Sequence, residues 1–108
     1  MYDKNNIFAK ILRGEIPCKK VIEGEHYLAF HDIAPKSNIH ILIIPKKEYM
    51  NYHDFLKNAS LIEKQDFFEA IAQIVQDYDL DKTGYQLHNN NLKGGGQEVF
   101  HFHMHLLG

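Results

Sequence analysis

The sequence predicts an α+β fold built on an antiparallel sheet. Three observations carry that expectation. Strand-like stretches follow one another without βαβ alternation, the helical patterns are one short and one long, and the last apolar stretch alternates strictly between histidine and core-type residues. At 108 residues the chain fits one domain, residues 1–108, with one modest core.

The elements follow in order. Asn6 to Arg13 reads as a short helix with Ile7, Phe8, Ile11 and Leu12 on one face; Gly14 ends it and Pro17 prevents its continuation. Val21–Glu23 and Tyr27–His31 read as strands around a Glu-Gly-Glu turn. Asp32 to Asn38 is a loop, and Ile39–Ile44 is a β-branched strand stopped by Pro45. Ser60-Leu61-Ile62-Glu63 has the spacing of a capping box. It opens a long helix whose Phe67, Phe68, Ile71, Ile74, Val75 and Tyr78 recur at helical spacing as a core stripe. Gly84–Asn89 is a fourth strand, Asn89 to Gly96 a permissive loop, and Val99–Leu107 the last strand.

Composition removes several classes of function. The chain is 44% hydrophobic and 24% charged, with a formal charge of −2, which gives no general reason to bind nucleic acid or an anionic membrane. No apolar run approaches the ~20 residues of a membrane span. The opening Met1-Tyr2-Asp3-Lys4-Asn5-Asn6 is polar and lacks the apolar core of a signal peptide. The single cysteine, Cys18, forms no internal disulfide and reads as a loop thiol, so a reducing cytoplasm is the expected location.

The chemistry concentrates at the end of the chain. His101, His103 and His105 alternate with Phe102, Met104 and Leu106, so a strand would present three imidazoles on one face and three apolar groups on the other. Imidazole is the side chain whose unperturbed pKa, ~6.5, lies nearest neutrality. Catalysis, metal binding with a further ligand from elsewhere, and inert surface histidines are the three readings of the row itself. His40, a polar ring in the apolar stretch Ile39–Ile44, is either a core histidine satisfied by a carbonyl or a fourth member of the cluster. Gly94-Gly95-Gly96-Gln97 leads almost directly into the row; glycines admit close approach of a ligand, and successive amides can form an anion nest. Asp32 is the carboxylate of a loop between two apolar strands, fit either to turn the chain or to accept from paired ribose hydroxyls.

These segments together resemble the histidine triad (HIT) family, in its nucleotide-binding branch. The resemblance covers nearly the whole chain. It begins at Ile7-Phe8-Ala9-Lys10-Ile11-Leu12-Arg13-Gly14-Glu15-Ile16-Pro17. It runs through Ala29-Phe30-His31-Asp32-Ile33-Ala34-Pro35 and from Ile39-His40 to Lys46, and ends with Gly95-Gly96-Gln97-Glu98-Val99-Phe100 and the histidines. It implies a HIT-like, five-stranded antiparallel sheet with one short and one long helix, and a two-fold homodimer.

The resemblance also implies roles. His103 would attack the α-phosphorus of a purine nucleoside 5'-phosphoramidate and become transiently nucleotidylated before water releases the monophosphate. The backbone carbonyl of His101 would fix the attacking tautomer, and His105 would contact the phosphate or leaving group. His40 matches the fourth active-site histidine and Asp32 the ribose-binding acid. Asn90, Gly96, Gln97 and Val99 match positions around the phosphate and the loop, and Phe8, Ile11, Ile16, Phe30 and Ile33 an apolar purine pocket. The implied partners are AMP and GMP conjugates; no cofactor and no metal are expected.

Three departures from the family pattern stand out. Asn6-Ile7-Phe8-Ala9 replaces the Cys-x-x-Cys with which many bacterial relatives hold a structural zinc. Glu98 stands where close animal relatives carry a phosphate-donating serine; an ionised carboxylate has no donor, so Glu98 is expected to face away or serve another contact. The chain stops at Gly108, where relatives often carry a tail bordering the partner's site, which leaves the expected leaving-group side more open. The alternative functions are dinucleoside polyphosphate hydrolysis, as elsewhere in the family, and nucleotide binding with little turnover. Zinc on the three alternating histidines is disfavoured, because ligands spaced along one strand rarely converge on one ion.

Overall fold

Five strands form in the computed structural model, which describes residues 1–108: β1 (Lys20–Glu23), β2 (Tyr27–His31), β3 (His40–Pro45), β4 (Gln86–His88) and β5 (Met104–Leu107). All pair antiparallel, in the order β1-β2-β3-β5-β4. β3 lies at the centre and every one of its residues is buried, which explains why its sequence is an unbroken apolar run rather than an alternation. The sheet has two covered faces. Ala29, Ile41, Ile43, Phe102 and Leu106 pack against the long helix α3 (Leu61–Asp77). Leu28, Phe30, Leu42 and Ile44 point the other way and meet Phe8 of the short helix α1 (Ile7–Leu12).

The helix ends follow the chemistry of their residues. Asn6 caps α1 by accepting from the Ala9 amide. At α3 both halves of the capping box form: the Ser60 hydroxyl accepts from the Glu63 amide and Glu63 accepts from the Ser60 amide, each at 3.1 Å. Glu63 also accepts from the Tyr49 hydroxyl at 2.8 Å, tying the cap to the chain after β3. The stripe of α3 is narrower than its sequence suggests. Phe67, Ile71, Ile74 and Val75 are buried, but Phe68 and Tyr78 are exposed. A step of ~100° per residue carries Phe68 onto the flank, and Tyr78 lies at the C-cap.

Two α-helical segments are additional to the sequence reading, α2 (Tyr52–Asn58) and the single turn α4 (Leu80–Thr83). Each buries one side chain, Phe55 and Leu80, too few to leave a periodic pattern. The last strand is shorter than the expected Val99–Leu107. The Phe102 amide donates to the Tyr49 carbonyl, so the chain joins the β3 ladder only from Met104. β4 likewise shrinks from Gly84–Asn89 to three residues. No helix is long and apolar enough to cross a membrane.

Candidate active site

Register builds the histidine cluster. Leu42 lies opposite His105, so His40, two residues earlier on β3, is the diagonal neighbour of His105 on the same sheet face. The alternation continues ahead of β5: Phe102 enters the α3 side of the core, while His103 and His105 line a cavity on the α1 side. Phe8 packs edge-on against His103, with ring centroids 4.9 Å apart.

The hydrogen bonds assign a tautomer to every ring. The Lys36 amide donates to His40 Nδ1 at 3.1 Å, and an amide can only donate, so the His40 proton sits on Nε2. It is given to His105 Nδ1 at 2.9 Å, which leaves the proton of His105 on Nε2. His103 Nδ1 donates to the His101 carbonyl at 2.7 Å, so His103 Nε2 holds a lone pair. His101 Nε2 donates to the Pro45 carbonyl at 2.8 Å, and its Nδ1 accepts from the Tyr2 hydroxyl at 2.6 Å. No buried side-chain nitrogen or oxygen lacks a partner. The Nε2 atoms of His103 and His105 have no partner within the protein and are therefore reachable from the cavity, one as an acceptor of electrophiles and one as a proton donor.

Burial tunes these rings. Desolvation pulls His101 and His105 each down to about 4. For His101 the bond to Pro45 only partly offsets that burial. For His105 the positive charges of His103 and His40, when present, push the same way. His103 is also lowered by desolvation, against the opposing bond to the His101 carbonyl. At neutral pH all three are uncharged, the state in which His103 Nε2 can act as a nucleophile.

The cavity has a volume of about 530 Å³, within the range of small-molecule sites. Phe8, Ile11, Ile16, Phe30 and Ile33 supply its apolar lining, and Phe8 also packs on His103. Ile33 is 91% exposed and thus forms a rim rather than an interior surface. His40, His103, His105, Asn90, Gly96, Gln97 and Val99 also line it, together with Asp32, which lies 3.3 Å from His40 Nε2. His101 alone among the expected residues does not line the cavity; it is fully buried behind His103.

One expectation needs correction. The glycine loop is not an open nest: the amides of Gly95, Gly96 and Gln97 already donate to the Leu92 and Lys93 carbonyls in a tight turn. Gly96, at φ +82°, is the position there that requires glycine. The amides of Glu98 and Val99 make no hydrogen bond within the chain, and both residues line the cavity. The Gln97 side chain holds the loop, accepting from the Leu92 amide and donating to the carbonyls of Met50 and Val99. Asn90 similarly donates to the Gly95 carbonyl. Glu98 is exposed and borders the cavity.

Asp32, His40 and His105 bring ligand atoms within 4.8 Å of one another, a possible cation site. The donor set fits poorly. The amide of Lys36 holds the lone pair of His40 Nδ1, so Nε2 carries the proton that a metal would have to replace. The same atoms are accounted for by the bond from His40 to His105 and a 3.3 Å approach of His40 Nε2 to Asp32. The other Asp32 oxygen accepts from the Ala34 amide and turns the loop.

Sequence reasoning missed four contributors. Tyr2, the Lys36 amide and the Pro45 carbonyl set tautomers, and Asn89 donates to the His103 carbonyl at 3.0 Å. Backbone groups leave no residue signature. Tyr2 had one, an isolated aromatic in a polar opening segment.

Fold and site define an α+β protein with a histidine cluster on one sheet face, lining a cavity of small-molecule size. The chain belongs to the HIT family: the HIT domain model matches residues 13–108. It is 46% identical over 108 residues to an uncharacterized HIT-like protein of Rickettsia prowazekii, covering 100% of this chain and 90% of that one. Its fold superposes on a HIT family hydrolase from Legionella pneumophila with a TM-score of 0.88 at 40% identity, over 96% of this chain and 92% of the other. A histidine triad nucleotide-binding protein from Candida albicans matches with a TM-score of 0.84 at 33% identity, over 94% and 73% of the two chains.

Proposed function

We propose that this protein is a hydrolase that cleaves purine nucleoside 5'-phosphoramidates through a nucleotidyl group on His103. The observation that carries the reading is His103 Nε2. It bears a lone pair because Nδ1 is committed to the His101 carbonyl, it is uncharged through burial, and it opens into the cavity. The similar structures of a HIT family hydrolase from Legionella and a histidine triad nucleotide-binding protein from Candida support the hydrolase and nucleotide-binding parts of this reading.

In the first step the Nε2 lone pair forms a bond to the α-phosphorus and the P–N bond to the amine breaks. An anionic phosphoryl group beside His105 favours its protonated form: the added proton sits on Nδ1, the His40 Nε2 hydrogen turns to the Asp32 carboxylate 3.3 Å away, and the His105 Nε2 proton goes to the departing amine. In the second step water forms a P–O bond, the bond from phosphorus to His103 breaks, and the water proton returns to His105. The nucleoside monophosphate leaves and His103 regains its lone pair. Asp32 accepts from ribose, the Phe8–Phe30 wall takes the purine, and the Glu98 and Val99 amides donate to the phosphoryl oxygens. We further propose a two-fold homodimer. β4 is an edge strand, and Tyr85, Leu87, Leu61, Ile62 and Phe68 leave apolar surface exposed. The cytoplasm is the proposed location.

Rapid-quench intact-protein mass spectrometry with adenosine phosphoramidate tests the chemistry. An adduct of one adenylyl group on wild type, absent from His103→Ala, is expected. Turnover by His103→Ala would overturn the mechanism. Hydrolysis of a diadenosine polyphosphate in clear preference to the phosphoramidate would move the protein to the alternative activity.

A further inference from the structure

We propose that Tyr2 is a positioning residue of this site: its hydroxyl locks the ring of His101, and so fixes the carbonyl that holds the nucleophile. The inference rests on the reading of His103 as that nucleophile. His101 is fully buried, and its ring nitrogens are bound from two separate parts of the chain, Tyr2 at the start and Pro45 at the end of β3. The Tyr2 and His101 rings also meet edge-on, with centroids 5.6 Å apart.

His101 has reason to need such a lock. It lies ahead of β5, off the sheet ladder, and the next amide, that of Phe102, bonds to a loop carbonyl rather than to β3. The two ring bonds therefore replace ladder bonds in holding residue 101, whose carbonyl accepts from His103 Nδ1. Without the hydroxyl, the buried Nδ1 lone pair has no donor. The ring then stays unsatisfied, takes up a proton in a desolvated place, or rotates and gives up Pro45, and each outcome loosens residue 101.

The segment carrying Tyr2 is built to deliver it. The Asn6 amide and side chain both donate to the Asp3 carbonyl, and the Asn5 amide donates to the Asp3 carboxylate. Arg13 donates to the Lys4 carbonyl at 2.8 Å. Asn6 is at the same time the cap of α1, whose Phe8 packs on His103. Residues 2–6 and α1 thus form one strap that reaches both rings, Tyr2 at His101 and Phe8 at His103.

The test compares wild type with Tyr2→Phe, which keeps the ring and removes the hydroxyl. Nitrogen-15 NMR of the histidine rings should show His101 with an unprotonated, hydrogen-bonded Nδ1 in wild type and a displaced Nδ1 signal in the variant. Exchange of the His103 Nδ1 proton should quicken. For adenosine phosphoramidate, kcat should fall roughly 3- to 10-fold, the equivalent of one net hydrogen bond, while KM stays within about twofold because Tyr2 touches no substrate group. Unchanged His101 and His103 spectra would overturn the lock whatever the kinetics. Shifted spectra with unchanged kcat would overturn the positioning role. If wild type turns over no phosphoramidate, the proposed activity fails, and the two NMR readouts alone decide the lock.

Discussion

Acid should weaken this fold before its carboxylates titrate. Burial holds His101 at about 4 against an ordinary 6.5. Between those values the unfolded chain binds the proton and the native state does not, so stability falls as pH drops through 6.5 and the loss levels off below about 4. At pH 5 the contribution of His101 comes to about 2 kcal/mol. His105, also held at about 4, shifts stability in the same direction. Glu23 is held at about 2 by hydrogen bonds from Lys20 and Lys46, so its stabilisation disappears only as pH falls from the ordinary value of 4.5 toward 2. With a urea slope of ~1–3 kcal/mol per molar, the unfolding midpoint should drop by ~1 M between pH 7.5 and pH 5. Urea titrations at several pH values, with the native His101 titration followed by NMR, measure both sides of the linkage. Equal midpoints at pH 7.5 and pH 5 would refute the argument, as would a native His101 that titrates near 6.5.

The same lowering should appear in activity: the acid limb of kcat/KM for adenosine phosphoramidate should lie below pH 6.5, since burial holds the free-protein His103 down. A limb above pH 7 would contradict it. His105→Ala should slow turnover by ~10²–10⁴-fold, the usual cost of a lost acid–base group, with the far-UV spectrum unchanged; turnover within twofold of wild type would remove His105 from the chemistry. Asp32→Asn keeps an oxygen for the Ala34 amide and removes the carboxylate, so AMP affinity should fall while the unfolding midpoint holds. Calorimetry showing equal affinity would refute the ribose contact. Gln97→Ala removes three loop hydrogen bonds, so KM should rise several-fold; an unchanged KM would show that the loop holds its shape without them.

The parts of this protein legible in its sequence are those where one residue type has one physical use. β2 forms over the expected residues, and the Ser60–Glu63 box forms both of its bonds. The alternation from Phe102 to Leu106 still separates core from cavity, although its first two residues are not strand. What sequence concealed depended on backbone partners. Nothing in Phe102 announces that its amide will seek Tyr49 and shorten β5. Nothing in Gly95-Gly96-Gln97 distinguishes amides free for an anion from amides spent on Leu92 and Lys93. The helix at Tyr52–Asn58 stayed hidden because Phe55 is its one buried residue.

The cost in acid stability and the proposed chemistry have one physical source. A histidine kept unprotonated at neutral pH must be desolvated or hydrogen-bonded through its neutral form, and this fold does both. β3, the chain before β5 and α1 close around His101 and His103, while Pro45, Tyr2 and the His101 carbonyl satisfy every ring nitrogen but one. An inert core histidine would have that last nitrogen paired as well. Here pairing stops at His103 Nε2, and the other open imidazole nitrogen on the cavity belongs to His105, whose rotor is fixed by His40 and, through it, by the Lys36 amide. The two open nitrogens carry opposite proton states, a lone pair on one and a hydrogen on the other, as a displacement with a proton delivered to the leaving group requires. Structural packing alone would not demand that difference, and a metal centre would demand lone pairs on both.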